Sequence, residues 1–173
     1  TTSPQKIFKQ RMNHKDVIEL TSFNNTGIDP IPSKDGKEIL YLKKDGLIYN
    51  VAIMDRNGLN VKILHDSAVV TDFLIHTWIP DGRICFQVQE NGKEQIYLIN
   101  RDKTGLKKLQ GTLPGDIKAA FSPIGNNFCF ISNRNGSSNL FISFKDSIID
   151  TKITDVYRTI YSSDGEKLVF VSA

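Results

Sequence analysis

Three histidines (His14, His65 and His76), two cysteines (Cys85 and Cys129) and one tryptophan (Trp78) are the side chains of this sequence best suited to chemistry or recognition. A metal site needs His or Cys ligands grouped at short spacing, as in a Cys-x-x-Cys pair. No histidine here has another His or a Cys at such spacing, and the two cysteines stand far apart. Acyl transfer would need a Gly-x-Ser-x-Gly elbow, a zinc protease His-Glu-x-x-His, and a nucleotide binder a Gly-Lys-Ser/Thr loop. None occurs. The sequence therefore predicts no catalytic residue, no metal site and no cofactor, with the histidines hydrogen-bonded or exposed structural residues. Trp78 is the one candidate binding residue, because Trp is enriched at binding hot spots.

Composition narrows the partners. The 173 residues hold 39% hydrophobic and 24% charged residues, the balance of a globular domain. Net charge is only +3, from 22 basic against 19 acidic residues scattered along the chain, so nucleic acid is not expected. No apolar stretch is long enough for a transmembrane helix, and Thr1–Lys6 lacks the basic and apolar regions of a leader. A removed leader and a cut chain both fit that start.

The elements that must position these residues come from a repeat. A turn ending in Gly and followed by an apolar run recurs four times, as Ser33-Lys34-Asp35-Gly36, Pro80-Asp81-Gly82, Pro123-Ile124-Gly125 and Ser163-Asp164-Gly165. These glycines lie 46, 43 and 40 residues apart, a period suited to a blade of four short strands. A second Asp-Gly or Asn-Gly turn follows each of the first three, at Asp45-Gly46, Asn91-Gly92 and Asn135-Gly136. Gly and Asn tolerate the positive φ of tight hairpins. A third turn, ending at Gly58 or Gly105, precedes a fourth strand in the first two units. The second strand of each unit is apolar on both faces (Ile39-Leu40-Tyr41, Ile84-Cys85-Phe86), so it must be covered on both faces. Stacked blades supply that cover. The reading is all-β, a β-propeller of four-stranded antiparallel blades.

The same residues resemble the TolB-like β-propeller repeat. Its Ser-Pro-Asp-Gly-like turn, Asp-Arg-x-Gly-like turn and Ile-Tyr-like strand are matched best by Phe121-Ser122-Pro123 through Ser132-Asn133-Arg134-Asn135-Gly136 to Asn139-Leu140-Phe141. Ile124 and Asn126 depart from the usual Asp and Lys, and Trp78-Ile79 stands where Ser is common. The resemblance covers nearly the whole chain. It implies a periplasmic or extracytoplasmic interaction protein of the cell envelope, without enzymatic activity.

The repeat divides the chain into a half-blade over 6–22, blades over 26–66, 69–111 and 115–154, and a half-blade over 155–173. The first half reads as third and fourth strands and the last as first and second strands. The halves therefore either pair and close a fourth blade or belong to a larger propeller; six blades would need about 260 residues at this period. A dimer of half-rings is the third arrangement. Trp78 either plugs the space between blades or stands exposed at a mouth of the ring. Lys43-Lys44 and Lys107-Lys108 are expected on blade edges, keeping them soluble, and Asp29-Pro30-Ile31-Pro32 on an innermost strand. The expected function is a protein- or peptide-binding propeller. The alternatives are an accessory propeller of a prolyl-oligopeptidase-like hydrolase and a small-molecule or sugar binder. Cys85 and Cys129, at matching places in adjacent blades, are expected as free apolar fillers, because packed sheets stand about 10 Å apart and a disulfide needs Cα atoms within about 7 Å.

Overall fold

The computed structural model describes residues 5–22, 26–66 and 76–173. Its elements are strands alone among the described residues. They run β1 (Phe8–Gln10), β2 (Val17–Glu19), β3 (Gly27–Pro32), β4 (Glu38–Asp45), β5 (Ile48–Asp55), β6 (Lys62–His65), β7 (His76–Trp78) and β8 (Ile84–Glu90), then β9 (Lys93–Ile99), β10 (Lys107–Lys108), β11 (Ile117–Phe121), β12 (Phe128–Ser132), β13 (Asn139–Phe144), β14 (Ser147–Asp150), β15 (Val156–Tyr161) and β16 (Leu168–Ser172). Strands β3 to β6, β7 to β10 and β11 to β14 each form a four-stranded antiparallel sheet in chain order, flanked by two-stranded sheets β1-β2 and β15-β16. The terminal pairs lie in separate sheets and do not pair with each other. No helix of the described residues is long and apolar enough to cross a membrane.

The first and last of the four repeated turns share one chemistry. Ser33 Oγ donates to Asp35 Oδ1 at 2.6 Å and accepts from the Glu38 amide at 3.0 Å. Ser162 does the same with Asp164 at 2.5 Å and Lys167 at 2.9 Å, so the last sheet begins as the first complete one does. Short polar side chains capture the amides of their own turn in this way, which fixes where each strand pair reverses.

Strand side chains alternate between faces, and here both faces of the central strands are apolar. Leu40, Leu42, Val51 and Ile53 of the β3–β6 sheet pack against Ile84, Phe86, Val88, Tyr97 and Ile99 of the next. On the other side of that second sheet, Cys85, Ile96 and Leu98 meet Phe128, Phe130 and Phe141. Cys129, Ile131 and Leu140 then meet Val156 and Leu168 of the last sheet. At the opposite end Tyr41, Ala52 and Met54 are covered by Ile7 and Leu20. The five sheets thus stack in chain order as blades of a propeller arc. Gly58, at φ 82°, touches the neighbouring blade so closely that a Cβ would sit 2.3 Å from the Leu20 carbonyl oxygen.

Leu40, Cys85 and Cys129 each face the next blade, the equivalence expected from sequence. Both thiols are free and fully buried, and burial pushes both thiol pKa values up. Thiolate is the reactive form, so titration should find two thiols in denaturant without reductant and essentially none under native conditions.

One expectation is corrected. Lys43 and Lys44 lie in β4, which is flanked by β3 and β5, and so do not sit on a blade edge. The strand runs eight residues, three past its apolar core, and carries the pair toward its end, where Lys44 lies over the Tyr49 ring at 5.9 Å. Lys107 and Lys108 do form an edge strand, β10.

Candidate binding groove

The first strands of adjacent blades are stitched side by side. Trp78 Nε1 donates to the Ile31 carbonyl at 2.9 Å, and His76 Nε2 lies 2.7 Å from the Asp29 carbonyl oxygen. Asp29 sits at φ 52°, within a bulge between Ile28 and Ile31 that turns this carbonyl toward its neighbour. Lys118 Nζ likewise donates to the Tyr157 carbonyl at 2.8 Å.

Where these strands end, the tips of three repeated turns converge on a groove of about 550 Å³. Lys34 and Asp35 come from one blade, Trp78 to Gly82 and Arg101 from the next, and Phe121 to Pro123 from the third. Arg101 is the bracket. Its guanidinium stacks on the Trp78 ring at 4.6 Å, donates to Glu38 Oε2 at 2.9 Å and to the Gly82 carbonyl at 3.1 Å, and lies 3.6 Å from Asp35. The Ser33 hydroxyl, then the Lys37 amide and the Arg101 charge, hold the Asp35 carboxyl below its usual range. Arg83 does the same for Asp81, donating at 2.8 and 2.6 Å. With those two carboxylates compensated inside the rim, the groove offers an apolar wall of Ile79, Pro80, Phe121, Pro123 and the open part of Trp78, with the Lys34 side chain beside it. A second hollow of about 310 Å³ continues from Phe121 and Pro123 past Thr77 and Thr159 to Tyr161 and Ser162.

Trp78 is half-buried and packs against the core between its blade and the previous one. It therefore both fills space between blades and lines the groove. The histidines are not brought together. His14 lies in the β1–β2 turn, His65 on β6 and His76 on β7, and no group of three potential metal ligands exists among the described residues. Sequence reasoning did not single out Arg101 or Phe121. Their signal was present in the period, since residues at the tips of recurring turns must gather at one end of stacked blades.

His65 stacks on Phe86 with ring centroids 5.1 Å apart. Burial lowers its pKa, opposed by Asp66 and Glu90. A histidine whose folded pKa is depressed contributes stability above its unfolded value, and that stability is lost as pH falls below about 6.5. Thermal melts from pH 7.5 down to 5 should show the native chain losing more Tm than His65→Gln.

No protein-family model matches the chain. A curated protein named Protein TolB homolog, from Chlorobium luteolum, is 23% identical over 138 residues, which is 80% of this chain and 31% of the relative. The chain thus spans about a third of that relative's length. TolB from Acinetobacter baumannii superposes with a TM-score of 0.74 at 19% identity, over 97% of this chain and 43% of that one. A protein assigned as TolB from Agrobacterium tumefaciens gives 0.77 at 19% identity, over 99% and 64%. A puromycin hydrolase gives 0.70 at 17% identity, over 91% of this chain and 27% of its own.

Proposed function

From a chain whose repeat and fold are TolB-like, we propose a non-enzymatic binding propeller that takes an extended protein or peptide segment in the groove at the turn tips. The observation that carries this reading is the groove itself: turns from three blades supply apolar walls, and the Asp35, Asp81 and Glu38 carboxylates beside them are held by Arg101 and Arg83. Such a surface takes apolar side chains, and the rigid sheets beneath hold the loops in place. The family resemblance supports an extracytoplasmic address. Because Trp78 is the only tryptophan, its emission reports the groove directly. Peptides selected for binding should shift that emission, and Pro123→Arg, which places a charged side chain in the groove, should weaken them at least tenfold. Peptides that bind Pro123→Arg equally well would place the site elsewhere.

The likeness to a puromycin hydrolase favours a second reading, an accessory propeller beside a catalytic domain. A Gly-x-Ser-x-Gly elbow flanking this segment in the full gene product would select that reading.

A further inference from the structure

Beside the groove a cleft opens between the β7–β10 and β11–β14 blades, and we propose that it selects an acidic ligand: the segment seated in the groove runs on into the cleft and places a carboxylate against Lys107. The inference rests on the groove reading above. The cleft, about 340 Å³, shares Ile79, Pro80, Asp81 and Phe121 with the groove, so one extended segment can occupy both. Its floor is the joint between two complete blades, with Leu98 and Leu109 from one and Phe128 from the other. One wall is Arg83 and the edge strand β10. Lys107 pairs in register with Leu98, so its side chain leaves β10 on the face that carries this floor.

Charge separates the cleft from the groove. Lys34 and Arg101 stand against Asp35 and Asp81 around the groove, an even balance. Around the cleft, Arg83, Lys107 and Lys108 stand against Asp81 alone. Arg83 is engaged with Asp81 at 2.6 Å, and Lys108 lies 3.8 Å from Glu90. Lys107 makes no ion pair within 4 Å among the described residues. The preceding joint shows what this place does when it is matched within the chain. There Lys62 stands two residues before the buried Leu64, as Lys107 stands before Leu109, and its Nζ donates to the Arg101 carbonyl of the next blade at 3.1 Å. Across the cleft, Lys107 meets no such partner. The facing turn carries neither of the charges of its counterpart: Ile124 and Asn126 stand where the second blade has Asp81 and Arg83. Gly125 and Asn126 of that turn form the far wall, and open space surrounds the position of a Cβ on Gly125. A ligand carboxylate there faces an ammonium on one side and the Asn126 side chain, whose amide can donate, on the other. Apolar floor and unmatched cation together describe a segment with a large apolar residue beside Asp or Glu.

The test compares peptides selected on the native chain through Trp78 emission with the same peptides carrying Asn or Gln in place of Asp or Glu. The acidic forms should bind roughly three- to fivefold tighter, the range of an exposed ion pair. That gap should close as salt rises toward about 1 M. Lys107→Glu should abolish or reverse it while binding the amide forms as the native chain does. Ile124→Asp, which puts a carboxylate on the facing turn, should weaken the acidic forms alone. Both sites are exposed, so each variant should keep its melting point, and if one unfolds the other carries the test. Equal affinity for acidic and amide forms, or a gap that neither variant changes, overturns the inference and leaves the groove reading standing. Binding that Pro123→Arg leaves untouched overturns the groove reading, and this inference with it. Retention of phosphatidylglycerol vesicles in preference to the acidic peptides, lost in Lys107→Glu, would assign the cleft to a membrane surface and overturn the peptide.

Discussion

Replacing Arg134 by Met should destabilise the fold by about 1–3 kcal/mol, the cost of leaving the buried Asp116 carboxylate without its partly exposed cationic partner. Arg134 Nη2 bonds Asp116 Oδ2, whose side chain is 3% exposed. The guanidinium also donates through Nε to Ser132 Oγ at 2.9 Å and lies over the Phe141 ring at 4.6 Å. Met keeps much of the packing on Phe130 and Phe141 but leaves the Asp116 carboxylate buried, with the Leu113 amide at 2.7 Å as its remaining described partner. Asp116→Asn with Arg134→Met should therefore recover much of the loss, because an amide is far cheaper to bury than an unpaired charge. Denaturant midpoints of the two single variants and the double variant measure the coupling. Strict additivity would show that the pair is not the source of the effect.

Phe86→Ala should cost more, ~3–5 kcal/mol, through lost burial and a cavity that the stacked sheets cannot close. Its ring is fully buried between the β3–β6 and β7–β10 blades, with Tyr97 at 5.9 Å beside it. Phe86→Leu should lose markedly less. The urea midpoint should fall with the slope unchanged; a changed slope would mean that the blade interface had opened instead of thinning.

Both effects lie between blades, and this is where the sequence was most and least legible. Apolar residues on both faces of Ile84-Cys85-Phe86 required sheets on both sides, and the spacing of Gly36, Gly82, Gly125 and Gly165 set the blade length. The hairpin joining β13 and β14 carried no such sign. Lys145 and Asp146 take φ of 49° and 62° at positions where Asn-Gly would be the usual signal. Lys43 and Lys44 were misplaced because charge at the end of a long central strand looks the same in sequence as charge along an edge. The groove was hidden for a different reason. Asp35, Arg101 and Phe121 are distant in sequence and meet only through blade stacking, so turn motifs could indicate a shared end of the sheets but not which side chains meet there.

The stacking order also makes the arc a one-dimensional array, in which each blade touches only its neighbours. Stability in such an array is a sum over units and the joints between them. The blade of β7 to β10 has an apolar joint on each side, with the β3–β6 blade through Phe86 and with the β11–β14 blade through Phe130. Phe86 and Phe130, on opposite sides of the middle blade, sit at the two joints that packed sheets flank on both sides, so the amides of this blade should be among the slowest to exchange.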